Sequence, residues 1–239
     1  MSALDGQGSQ RRSHGTPSAP AVVFAPTADA LAPGVAALGL ALPVAVLTKL
    51  AAYLALLAKW NRTHNLTAIR EPERMITHHA LDALAVLPQL DAAGAALRVL
   101  DVGTGGGIPG IPLAIARPAW HVALLDANHK KGAFLTQAAI ELALPNVETV
   151  ISRVEDYAPA APFDIVISRA FSDLATFART SARHLAPGGK LVAMKGVRPN
   201  DELAALPDDL EVVAAPMLQV PGLDAARHLI VMQRTSSPR

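Results

Sequence analysis

Residues 99–117 read VLDVGTGGGIPGIPLAIAR. An apolar run ends at Asp101-Val102, and five glycines then fall within the eight positions from Gly103 to Gly110. The run has the length and composition of a strand, and Ile108 to Ala116 that of a helix. Glycine between them lets backbone come close to a ligand. A strand, a glycine turn and a helix in this order open a doubly wound α/β sheet. Similar apolar runs recur downstream at HVALLD (121–126), VETVIS (147–152), FDIVISR (163–169), KLVAMKG (190–196), LEVVAAPM (210–217) and HLIVMQR (228–234). With RVLDVG (98–103) they make seven predicted strands, and helical stretches cover 108–116, 130–143 and 173–185. This alternation predicts a mostly parallel sheet with both faces covered. Such sheets bind ligands outside the carboxyl ends of their strands, where the strand order reverses.

Upstream the rhythm is helical. Leu47, Leu50, Leu54 and Leu57 mark a helix over 44–60, and NRTHNLTAIRE (61–71) reads as a polar connector. Pro72 suits the first turn of a second helix, whose apolar side is Ile76, Ala80, Leu84 and Leu87. The expected organisation is a tail over 1–40, disordered in its first half, a helical extension over 41–97 and the α/β domain over 98–239. The stretch 38–58 is apolar enough to suggest a membrane span, but Pro43 and Lys49 interrupt it and its leucines repeat at helical spacing, so it reads as a core helix. Arg11-Arg12 is followed by Pro26, Asp29 and Pro33 instead of a clean apolar stretch, so a cytoplasmic protein with no membrane contact is the expectation; a monomer is expected as well.

The chain has no cysteine, which excludes disulfides, iron–sulfur clusters and cysteine nucleophiles. A net charge of +1 means that any nucleic acid must be met by a local basic patch.

Three ligands compete for the glycine loop. A phosphate-binding P-loop needs a terminal Gly-Lys-Ser/Thr, and GGGIPGIP (105–112) has neither lysine nor hydroxyl. A dinucleotide matches by letter, as Gly105-x-Gly107-x-x-Gly110 with Asp126 at the end of the second strand. Asp101 beside the loop would repel its pyrophosphate. S-adenosylmethionine carries no phosphate but has a sulfonium and an ammonium group, so Asp101 becomes an attraction. Gly103 and Gly105 would then admit the cofactor, and Asp126 would accept hydrogen bonds from its ribose. A purely structural turn is the plain alternative, although it has little use for five glycines.

LDVGTGGGIPGIPLAIARP, LLDANHKK, SRVEDY, SRAF and AMKG, preceded by KWNRTHNLTAI and HHALDALAVLP, resemble the bacterial ribosomal RNA small subunit methyltransferase G family, also known as glucose-inhibited division protein B. The similarity runs in order from about Leu47 to Gly196, and residues beyond Arg198 add little to it. It implies a class I S-adenosylmethionine-dependent methyltransferase fold, Rossmann-like, with a small N-terminal helical extension. It also implies methylation of N7 of one guanine in the 530 loop of 16S rRNA, whether in free rRNA or in the 30S ribosomal subunit. Carried onto this sequence, the cofactor contacts would be Gly103, Ile108, Val154, Glu155 and Arg169. Two positions depart from the pattern: His78 stands where an arginine is usual and Ala83 where a serine is usual, which puts RNA-contact details in doubt.

Guanine N7 has a lone pair and no proton, so its methylation needs alignment and desolvation but no general base. No catalytic acid or base is therefore assigned. Arg169 is the candidate for positioning the guanine, or for holding the cofactor's carboxylate through its planar fork. Carbon-5 methylation of a pyrimidine would need a cysteine, and the aromatic motif of exocyclic-amine methyltransferases is replaced by Ser168-Arg169-Ala170-Phe171. Phe171 reads as a core aromatic, with stacking on a base as the sharper alternative. Lys130, Lys131, Arg153, Arg169, Lys195 and Arg198 follow strand ends and are expected on one rim as the RNA phosphate patch. His64, His78 and His79 lack metal-ligand spacing, so no metal is expected; His79 and Asp82 are spaced to pair on one helix side. Two other functions stay open: transfer to a ribose hydroxyl or a small molecule, and nucleotide or RNA binding without transfer.

Overall fold

In the computed structural model, which describes residues 26–169, 171 and 173–235, seven strands form one sheet in the order β3-β2-β1-β4-β5-β7-β6. They are β1 (Arg98–Val102), β2 (His121–Leu125), β3 (Val147–Val150), β4 (Phe163–Arg169), β5 (Leu185–Lys195), β6 (Leu210–Ala214) and β7 (His228–Arg234). The first five are parallel, β7 runs antiparallel to β5, and β6 antiparallel to β7. The chain travels outward from β1 through β2 to β3, then returns to β4 on the other side of β1. The strand order therefore reverses between β1 and β4, and the loops after those strands diverge there.

The continuous apolar runs follow from two-sided burial. Successive side chains alternate across a strand, so Val99, Val122, Leu124, Ile165, Ile167, Val192 and Met194 face one core. Leu100, Val102, Ala123, Leu125, Val166, Leu191 and Ala193 face the other. The first core is covered by α1 (Ala28–Ala37), α2 (Val44–His64), α4 (Gly110–Ala116) and α5 (His129–Glu141). Between α2 and α4 lies α3, a continuous helical run made of Pro72–Met75, a π-helical Ile76–Leu81 and Asp82–Leu84. The second core is covered by α6 (Leu174–Ser181), through Leu174, Phe177 and Ala178. Polar caps start three of these helices: Thr27 accepts from the Ala30 amide, Asn128 from the Lys130 and Lys131 amides, and Asp173 from those of Ala175 and Thr176.

Helix α2 is long and apolar enough to cross a membrane by composition, but Leu50, Tyr53, Leu54 and Leu57 are fully buried in the first core. It runs past residue 60 to His64 and stops at Asn65 in left-handed conformation, φ 50°, a residue type that tolerates it. The expected tail over 1–40 needs correction in its second half. Residues 28–37 form α1, capped by the Thr27 side chain and anchored by buried Leu31 and Val35. The disorder expected over the first half of the tail lies outside the described residues. After β3 the SRVEDY segment turns tightly, with the amides of Asp156 and Tyr157 donating to the Arg153 carbonyl.

Candidate functional site

The glycine loop is latched to the end of β2. The amides of Gly103 and Thr104 both donate to the Leu125 carbonyl, at 2.8 and 3.1 Å, and the Gly105 amide donates to Asp126 Oδ2 at 3.0 Å. From below, the Tyr53 hydroxyl of α2 donates to the Gly106 carbonyl at 2.6 Å, and burial holds that phenol well above its ordinary range. Gly103 turns with φ +69° and no atom lies within 4 Å of where its Cβ would be. Backbone is thus presented to open space.

Asp101 does not face that space. Period-two alternation puts it on the opposite face from Val102, and it is fully buried. Its Oδ2 accepts from Thr104 Oγ1 at 2.6 Å and from the Gly110 amide at 2.8 Å, while Oδ1 has no hydrogen-bond partner among the described residues. Burial pushes its carboxyl up to about 6, against the Thr104 and Gly110 bonds that lower it. The expected direct attraction between Asp101 and a cationic ligand is therefore replaced by another role: the carboxylate ties the start of the loop to the start of α4.

The loop borders a cavity of about 340 Å³ at the carboxyl ends of β1 and β2. Val102, Leu125 and Val154 give it apolar walls, Gly103 exposed backbone, and Asp126 and Glu155 carboxylates. Lys131, Arg153 and Phe171 complete the rim; Lys131 Nζ lies 3.4 Å from Asp126 Oδ2, and the Phe171 ring packs on Phe177. Asp126 Oδ1 accepts only the Asn128 amide among the described residues, leaving acceptor capacity toward the cavity. Apolar walls for a base, a carboxylate for ribose hydroxyls and open glycine backbone fit S-adenosylmethionine. Of the sequence candidates, Gly103, Asp126, Val154 and Glu155 meet here, and Gly105 supports Asp126 from the loop. Ile108, 4% exposed, packs in the first core instead.

Arg169 lies in a neighbouring cavity of about 250 Å³ with Asp82, Met194, Lys195, Gly196 and Arg227. Its Nη1 donates to the His78 carbonyl at 2.9 Å and to Asp82 Oδ2 at 3.2 Å. Arg227 Nε donates to Asp82 Oδ1 at 2.9 Å. His79 and Asp82 do not pair as expected. His79 Nε2 lies 2.9 Å from Thr67 Oγ1 and its Nδ1 lies 3.0 Å from the His78 carbonyl, so the buried ring is held neutral, its pKa pushed down by burial and by Arg169 to about 4. The π-helical turn carries both histidines, a backbone form often found beside functional sites.

The six cations expected on one rim divide. Lys130 and Arg198 are exposed, Lys131 and the exposed Arg153 line the first cavity, and Arg169 lines the second. Lys195 is committed to Glu202 at 2.7 Å and to the Phe171 carbonyl at 3.3 Å. Arg227 and Asp82 escaped the sequence reading as site residues, because their partners lie 145 and 87 positions away.

A family model described as rRNA small subunit methyltransferase G matches residues 46–230. The chain belongs to this family. Ribosomal RNA small subunit methyltransferase G of Laribacter hongkongensis is 54% identical over 202 residues, covering 84% of this chain and 96% of its own. Those of Nitrosospira multiformis and Azoarcus sp. are 51% and 53% identical, covering 87% and 89% of this chain and 97% and 99% of their own. Among solved structures, the N-methyltransferase NodS from Bradyrhizobium japonicum in complex with S-adenosyl-L-homocysteine superposes with TM-score 0.53 at 16% identity, over 76% of this chain and 99% of that one. TrmN from Thermus thermophilus superposes with TM-score 0.50 at 20% identity, over 67% of this chain and 53% of that one. At these identities the structures establish a class I methyltransferase fold and nothing finer. The methyltransferase G match extends past Arg198 to residue 230, so β6, the first residues of β7 and Arg227 belong to the family unit, contrary to the expectation that they add little.

Proposed function

We propose that this protein transfers a methyl group from S-adenosylmethionine to N7 of a guanine in the 530 loop of 16S rRNA. The cavity at the carboxyl ends of β1 and β2 carries the reading, because exposed Gly103 backbone lines it together with the Asp126 and Glu155 carboxylates and apolar walls. When bound, S-adenosylmethionine supplies an electrophilic methyl group. The chain's own residues seat and orient. Asp126 receives the ribose hydroxyls, Val154 and Leu125 enclose the base, Gly103 and Gly105 leave room along the loop, and Glu155 closes the rim. Ile108 supports the loop from the core. Arg169 positions the acceptor nucleotide from the neighbouring cavity. No side chain has to remove a proton, since N7 carries none, and neutral His79 is buried against Thr67 out of reach. An N-terminal helical extension over 41–97 and a methyltransferase domain over 98–239 share one core. Acting on rRNA, the protein works in the cytoplasm as a monomer.

Labelled S-adenosylmethionine incubated with the protein and unmethylated 30S subunits should place label at one guanine, mapped by strand scission specific for N7-methylguanine. Label in another base or in ribose, or none despite cofactor binding, would refute the assignment.

Exposed Lys130 and Arg153 flank the cofactor cavity and are proposed, with Arg198, as phosphate contacts. Each lost contact should flatten the dependence of log affinity on log salt by roughly 0.7–0.9. Replacing both with alanine should therefore reduce the measured slope by about 1.5; an unchanged slope removes them from the footprint.

A further inference from the structure

We infer that Asp82 is a positioning residue for RNA: it holds Arg169 and Arg227 as a guanidinium pair that receives a phosphodiester group beside the target guanine. The inference rests on the methyltransferase reading above. The sheet brings the partners together. Arg169 ends β4 opposite Met194 of β5, and Lys195 is paired with His228, the residue after Arg227. Three cations from distant parts of the chain thus meet at one edge, and α3 supplies the carboxylate that separates two of them. Asp82 is 2% exposed at its side chain, whereas Arg169 and Arg227 are 26% and 22% exposed.

Both Asp82 oxygens are used, one per arginine. Each guanidinium keeps donors to spare. Among the described residues Arg169 spends only its Nη1 hydrogens, on the His78 carbonyl and Asp82, and Arg227 spends Nε on Asp82 and one Nη1 hydrogen on the Ala226 carbonyl. A guanidinium has five N–H donors, so each has three left for a ligand in the cavity. Arg169, Arg227 and Lys195 against Asp82 and Glu202 leave one positive charge unbalanced. The ligand class that suits this is an oxyanion able to accept forked donors.

Within an RNA substrate two groups could accept such a fork: a phosphate, or the O6/N7 edge of a guanine. The reaction decides between them. A guanidinium bidentate on O6 and N7 would occupy the lone pair that has to be methylated, and methylation leaves positive charge on the ring. Arginines belong on the backbone and away from that edge. The Lys195 ammonium, bonded to the Phe171 carbonyl, ties this cavity to the cofactor cavity that Phe171 borders. A phosphate seated here therefore fixes the nucleotide next to the methyl donor.

Asp82→Asn separates positioning from charge. Removing a negative charge alone would tighten RNA binding; loss of the clamp weakens it. The KM for unmethylated 30S subunits should rise about tenfold, kcat should change far less, and the dissociation constant for S-adenosylmethionine should stay within about twofold of the parent. The salt dependence should flatten by roughly 0.7–0.9, one phosphate contact. Arg227→Lys, which keeps the charge and loses the fork, should raise KM similarly and carries the test if Asp82→Asn does not fold. A KM that falls or holds in these variants, or a fall confined to kcat, overturns the inference. A parent protein that binds S-adenosylmethionine and leaves 16S rRNA unlabelled refutes the methyltransferase reading and the phosphate clamp with it.

Discussion

Gly110→Ala is expected to lower the midpoint of thermal unfolding by about 6–12 °C, the equivalent of about 3 kcal/mol in a chain of this size. A Cβ at Gly110 would lie 2.2 Å from Leu124 Cδ2, 2.9 Å from Asp101 Oδ2 and 3.2 Å from Asp101 Cβ. None of these atoms can yield freely. Leu124 is fully buried between strands, and Asp101 Oδ2 is held by Thr104 and by the Gly110 amide itself. Relief requires moving the start of α4 off the sheet, which breaks the Asp101 bond and drags the glycine loop with it. Gly103→Ala is the contrasting case. Nothing surrounds its Cβ position, so its cost is backbone strain at φ +69°, about 1–2 kcal/mol, and its main effect should be weaker cofactor binding. Calorimetry on the two variants should show a large loss of stability for Gly110 and a small one for Gly103. A Gly110→Ala midpoint within about 2 °C of the parent, less than about 1 kcal/mol, would mean that the loop is not keyed to the sheet through Asp101.

The contrast shows how much a run of glycines says by itself. The sequence marks the loop and the strand before it, because strands buried on both faces need unbroken apolar runs and a close approach of backbone needs glycine. It does not say which glycine faces a ligand and which faces Leu124. Alternation does contain the orientation of Asp101: one residue from Val102 means the opposite face, and reading the acid as a neighbour of the cofactor overlooked that parity. Helix α1 escaped because Pro26, Asp29 and Pro33 were weighed only as interruptions of an apolar stretch, yet Pro33 sits inside a helix whose buried Leu31 and Val35 pack on α2. The cluster around Asp82 was illegible for a different reason. Its members come from α3, the end of β4 and the turn before β7, and only the strand order brings them together. His79, three residues before Asp82, offered a local partner that the fold declines in favour of Thr67.

Asp101 and His79 also contribute to the response of stability to pH, and they oppose each other. Asp101 has a folded-state pKa raised to about 6 from 3.8, by burial above all, with Arg169, Asp126 and the two hydrogen bonds modifying it. The folded protein therefore holds this proton more tightly than the unfolded chain. The associated stability is fully present below about pH 4 and lost as pH rises through about 6. His79 is depressed from 6.5 to about 4, by burial first and then by Arg169 and His78, against its bond to the His78 carbonyl. Its stability is present above about 6.5 and lost as pH falls through about 4. At about 1.4 kcal/mol per pKa unit, each group is worth about 3 kcal/mol over nearly the same window, with opposite slope. In the parent protein the two largely cancel. Asp101→Asn removes one of them, while the asparagine carbonyl still accepts from Thr104 and Gly110. Relative to the parent, this variant should gain about 3 kcal/mol between pH 4 and pH 7 in denaturant unfolding, because it no longer pays the cost of an ionised carboxylate under the loop. Its own stability should consequently drop toward acid far more steeply than the parent's, as His79 protonates unopposed. A stability difference between the two proteins that stays constant across that range would show that Asp101 ionises in the folded state as easily as in the unfolded one, and that the loop is not closed over it.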